Sequence, residues 1–131
     1  MIRRWSRLAL PVVAWLYVAG LLVQVLLAGL GLFSDRGAFG THVGLGWILH
    51  LVPVPLVALV ALARLPRSVL WLSLALFAVQ FVQPILATFR NSVPLVAAFH
   101  PPLALIVFAL AVMLAMRVTQ LPRRDEPMPA A

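Results

Sequence analysis

Four apolar stretches, roughly Leu8 to Phe33, His42 to Ala63, Val69 to Phe89 and Pro94 to Arg117, take up nearly the whole chain. A helix needs about 20 mostly apolar residues to cross the hydrocarbon of a bilayer, and each stretch is long enough. The sequence therefore predicts an all-α integral membrane protein: an antiparallel four-helix bundle of four transmembrane helices over residues 1–120. The tail, 121–131, "LPRRDEPMPAA" from its first residue, reads as disordered because its prolines and charges cannot bury apolar surface. Composition agrees, since 64% hydrophobic residues, a mean hydropathy of +1.10 and 10% charged residues do not describe a soluble core.

The opening "MIRRWSR" followed by an apolar run has the outline of a signal peptide. That run continues to Phe33, however, longer than the roughly 7 to 15 residues of a cleavable hydrophobic region, so it is expected to stay as the first span. The loops "SDRGAFGT", "RLPRS" and "RNSV" are too short for a soluble domain. Whatever chemistry the chain performs is therefore expected within the bilayer or at its edges.

All ten basic residues are arginine, and their placement predicts orientation. Arg3, Arg4, Arg7, Arg64, Arg67, Arg117, Arg123 and Arg124 fall on one side, against Arg36 and Arg90 on the other. Short cytoplasmic loops hold the excess of positive charge, so both termini are expected in the cytoplasm, with the chain in the cell's inner (plasma) membrane. Trp5, Trp15, Tyr17 and Trp71 would then lie towards the inner interface, and Phe33, Phe39 and Phe89 at the outer one. The arginines form short clusters between apolar runs rather than a continuous basic face, which argues against nucleic acid as a partner. With no cysteine, thiolate metal sites and iron–sulfur clusters are excluded, and histidine must carry any ligation.

Each span gathers its polar and small residues on one stripe at 100° per residue. These are Tyr17, Gly20, Gln24, Ala28 and Gly31 on the first span, and His42, Gly46, His50, Pro53 and Val57 on the second. The third has Ser73, Gln80, Gln83 and Ala87, and the fourth Ala97, His100, Ala104 and Ala111. Small residues let transmembrane helices approach closely, which accounts for the glycines and alanines alone. The polar members need more. Counted from the outer ends of the apolar runs, Gln24, His50, Gln80 and His100 fall into one layer in the outer half of the membrane, where unpaired polar groups are costly and ionisable ones are functional candidates.

The second half of the chain loosely echoes the first. "HLVPVPLVALVALARLPR" and "HPPLALIVFALAVMLAMRVTQLPRR" share a histidine, prolines, an aliphatic run and a closing Leu-Pro-Arg. A repeat about an axis along the membrane normal makes spans 2 and 4 diagonal partners and sets His50 opposite His100. Pro53 and Pro101 are expected to free a carbonyl one turn back that fixes each ring and leaves Nε2 as a ligand. Gly46 would leave room for a flat ring, and Gln24, Gln80 and Gln83 would line the site. Two imidazoles facing across a bundle suit axial ligation of a haem iron. Arg36, Arg90 and His42 at the outer edge would neutralise propionates.

At this point the sequence resembles small b-type membrane cytochromes, in particular one half of the bundle of haem A synthase and related haem-binding membrane proteins. It is also similar to a family of uncharacterised bacterial four-span proteins, through "HVGLGWILH" and "FHPPLAL". The resemblance implies haem b held by His50 and His100, electron transfer with a membrane redox partner or larger complex, and contact with quinone. A proton-coupled exporter is disfavoured because Asp35, Asp125 and Glu126 all lie outside the spans. A zinc or copper transporter would need more ligands, and Met113 and Met116 are far from the histidines. No constellation of nucleophile, base and orienter points to a self-contained enzyme. The competing expectation is a cofactor-free accessory or assembly subunit whose polar layer welds helices together.

Overall fold

The computed structural model describes residues 1–121. These form α1 (Ile2–Phe33), α2 (Gly37–Leu51), α3 (Pro53–Leu62), α4 (Arg67–Thr88), a 3₁₀ turn (Phe89–Asn91), α5 (Pro94–Ala97) and α6 (His100–Gln120). They join into four candidate membrane spans, Ile2–Phe33, Gly37–Leu62, Arg67–Asn91 and Pro94–Gln120, and among the described residues there is no strand. The all-α, four-span architecture is therefore as expected. Apart from Leu121, the tail lies outside the described residues, Arg123 and Arg124 with it.

Two spans are broken by proline. Pro53 has no N–H to give the carbonyl of Leu49, which accepts from Val52 instead (3.2 Å) and so separates α2 from α3. In the fourth span Pro101 and Pro102 follow His100, and the helix restarts there after a short turn, with Phe99 N–H donating to Val96 (3.2 Å). The loop between spans 1 and 2 is drawn tight by Asp35, whose Oδ1 accepts from the N–H of Gly37 (2.8 Å). Each span overruns its apolar stretch at one end or both. The second span starts at Gly37, five residues before His42, and the first takes in Arg3, Arg4 and Arg7. A helix continues into the interface as long as its charged heads can reach water along flexible stems.

In the bundle α1 packs against α2, α3 and α6, and α4 against α3 and α6. Each span thus neighbours the next in sequence and the first neighbours the fourth, leaving spans 2 and 4 on one diagonal. The core shared by the four spans includes Leu10, Ala14, Tyr17, Leu49, Leu56, Val60, Leu76, Val107, Ala111 and Leu114. Tyr17 is 2% exposed, a core residue on the stripe it shares with Gly20 and Gln24. Outside, large apolar side chains stand exposed, among them Leu16, Trp71 and Leu105. A continuous surface of this kind suits hydrocarbon rather than water.

Loops 34–36 and 89–93 share one end of the bundle, called distal here; the N-terminus, the 63–66 loop and Gln120 share the proximal end. At the proximal end Arg3 and Arg7 Nε–H both donate to the carbonyl of Ala63 (3.3 Å each), pinning α1 to the end of α3. Arg64 follows with φ 51°, a left-handed turn residue closing that helix.

Candidate functional site

The glutamines and histidines of the spans gather between the middle of the bundle and its distal end. Each histidine turns its Nδ1 towards the main-chain carbonyl of a glutamine on a neighbouring helix: His42 to Gln24 (3.0 Å), His50 to Gln80 (3.1 Å) and His100 to Gln83 (2.9 Å). A carbonyl oxygen has no proton to give, so in each of these bonds Nδ1–H donates. In a neutral ring Nε2 then keeps its lone pair. This is the arrangement that orients metal-ligating histidines, but its source differs from the sequence expectation. The carbonyls come from other helices, not from the turn before Pro53 or Pro101. For His50 the cause is Pro84, inside α4, which has no N–H to give the carbonyl of Gln80 four residues earlier.

The ring that meets His100 is His42. Their centroids lie 6.5 Å apart with planes at 81°, across the diagonal between spans 2 and 4. The expected facing of His50 and His100 is not formed, and the helix phase explains why. The buried face of span 2 runs through Leu49, Pro53, Leu56 and Val60, in phase with His42, whereas His50 is rotated about 80° from His42 onto the flank. There its ring packs against Trp47 (5.5 Å, edge-on) and Phe81 (5.4 Å). The single polar layer also resolves into two. Because α2 begins at Gly37, His50 sits eight residues, about 12 Å along the axis, deeper than His42. Gln24, His42, His100 and Gln83 make up the distal tier; His50 and Gln80 make up the deeper one.

The glutamine side chains add detail. Gln83 Nε2 lies 2.9 Å from His100 Nδ1, 3.3 Å from its Nε2 and 3.4 Å from its carbonyl. His100 Nδ1 can donate to the Gln83 carbonyl or accept from the Gln83 amide, but it cannot do both. The Gln24 amide fills the space expected to stay open beside Gly46, where an added Cβ would stand 2.7 Å from Gln24 Nε2. Gln24 Oε1 and Tyr17 OH are buried without a hydrogen-bond partner among the described residues. Arg36 stands exposed at the start of α2. Arg90 lines an open groove of about 370 Å³ with Phe39, Gly40 and Val43, on either side of His42 in sequence. Phe39 also packs on His42 at 5.7 Å.

Among the described residues no three His, Cys, Asp or Glu side chains gather as a metal-binding group, so any metal here would rest on two imidazoles. Bis-imidazole haem iron is such a case. If one such group were held here, the imidazoles of His42 and His100, with centroids 6.5 Å apart, would hold it.

The model of a family of unknown function (DUF6220) matches residues 24–89, half of the chain. The matched stretch starts at Gln24 and takes in His42, His50, Gln80 and Gln83; Arg90 and His100 follow it. No curated protein and no solved structure matches.

Proposed function

The chain belongs to the family of unknown function DUF6220, and we propose that it is a b-type cytochrome-like electron-transfer protein or subunit holding one haem between His42 and His100. The observation that carries this reading is the pair itself: two imidazoles 6.5 Å apart on diagonal spans, each offered a main-chain carbonyl that fixes Nδ1 and presents Nε2. When bound, haem supplies a one-electron couple. The chain's part is to hold and tune it. The Gln24 and Gln83 carbonyls fix the ligand rings, Arg90 in the groove offers a guanidinium to a carboxylate, and the apolar bundle excludes water. The arginine asymmetry sets both termini in the cytoplasm of a cell whose inner membrane holds the bundle, with the histidine tier in the outer half.

The second reading, a cofactor-free accessory subunit, draws on the Gln83 side chain, whose contacts to His100 are those of an interhelical weld. Gln24 Oε1, buried without a hydrogen-bond partner among the described residues, stands outside that weld. The test is the absorption spectrum of protein purified after haem-supplemented expression. The cytochrome reading expects the sharp, split bands of six-coordinate low-spin haem on reduction, and a folded, colourless protein refutes it.

A further inference from the structure

His50 takes no part in the proposed iron pair, and its surroundings point elsewhere. It stands half-way along span 2, with thirteen residues of Gly37–Leu62 on one side and twelve on the other. Its Nδ1–H is committed to the Gln80 carbonyl (3.1 Å), which Pro84 frees for it. Nε2 has no partner among the described residues, and the half-buried ring lies at the lipid-facing flank between exposed Trp47 and Phe81. Phe77 continues the aromatic surface, 6.0 Å from Phe81. A lone pair left bare at the middle of a bilayer is costly unless a donor reaches it.

We infer that His50, Trp47 and Phe81 form a binding site for the hydroquinone headgroup of a membrane-soluble quinol, with His50 Nε2 accepting its hydroxyl hydrogen. Three observations select this class. Depth excludes phospholipid headgroups, which stay at the interface, and favours a molecule that lives among the acyl chains. The flanking indole and phenyl faces suit a flat ring. The tautomer makes Nε2 an acceptor, so the site takes a hydroxyl and discriminates against the oxidised quinone, which has no proton to offer. The inference deepens the electron-transfer reading, on which its physiological sense rests, while the binding itself does not depend on iron.

The test uses the full chain in lipid nanodiscs under anaerobic conditions, titrated with a decyl-tailed hydroquinone and with the corresponding quinone, and read by tryptophan fluorescence quenching. The hydroquinone should saturate the quench and bind about tenfold more tightly than the quinone, the discrimination expected of one desolvated hydrogen bond. His50→Phe, which keeps the aromatic packing, should abolish that preference, and His42→Ala should retain it. Should His50→Phe not fold, Trp47→Phe must lose most of the quench for the site to stand. Equal affinity for both redox forms, or an unchanged preference in His50→Phe, overturns the inference. A colourless protein that still selects hydroquinone sinks the haem reading and leaves this site; a coloured one without selection does the reverse.

Discussion

Gln83→Leu separates the two roles open to His100. The substitution removes the amide 2.9 Å from Nδ1 but leaves the Gln83 main-chain carbonyl, also at 2.9 Å. If Nδ1–H already donates to the carbonyl, the ring loses one neighbour and keeps its essential bond. The cost is then one net hydrogen bond, about 0.5–1.5 kcal/mol. If instead Nδ1 accepts from the amide, its acceptor site is left bare, adding about 1–3 kcal/mol unless the ring changes tautomer. Reversible unfolding in mixed micelles measures the loss, and histidine ¹⁵N NMR reads the tautomer in both proteins. We expect a loss below about 1.5 kcal/mol and an Nδ1–H tautomer for His100 before and after the change. A tautomer that switches on substitution, or a loss of about 3 kcal/mol or more, would refute the assignment of Nδ1 as donor and favour the weld.

Glycines on the two faces of the distal end should respond oppositely. At Gly31 a new Cβ meets the Phe39 ring and stands 3.1 Å from its backbone nitrogen, so Gly31→Ala should lower stability by roughly 1–2 kcal/mol net of the helix propensity gained. At Gly40 nothing lies within 4 Å, and Gly40→Ala should be neutral or stabilising by up to about 1 kcal/mol in the same unfolding assay. Tyr17→Phe removes a buried hydroxyl without a partner among the described residues and should raise stability by about 1 kcal/mol; a loss of that size would mean the hydroxyl has found a donor or acceptor. Cysteine labelling of intact cells should reach positions 34 and 91 from outside and position 68 only after lysis, and the opposite pattern inverts the topology.

The architecture was legible because hydrocarbon imposes one requirement, a self-satisfied helix long enough to cross, and composition reports it directly. The diagonal placement of spans 2 and 4 follows from short loops, which force sequential neighbours. The site was harder to read. Depth counted from the end of an apolar run put His50 level with His100, but the helix begins at Gly37, so the layer splits. Stripe membership placed His42 and His50 together, although 80° is enough to send one ring to the diagonal and the other to the flank. Two features of the sequence carry the difference. The sequence Leu49, Pro53, Leu56, Val60 continues the phase of His42, and Pro84 follows Gln80 by the four residues that free its carbonyl. Tyr17 lies in the core because its neighbours on that face, Leu10 and Ala14, are core residues, as the stripe it shares with Gly20 and Gln24 implied.

Reduced-state absorption and electron paramagnetic resonance spectra of His42→Ala, His50→Ala and His100→Ala, each purified after haem-supplemented expression, test the ligand pair directly. His42→Ala and His100→Ala should each lose haem or turn high-spin, because no other imidazole stands near the open position, while His50→Ala should keep the low-spin spectrum. Loss of the low-spin signal in His50→Ala together with its survival in His42→Ala would contradict the pairing of His42 with His100.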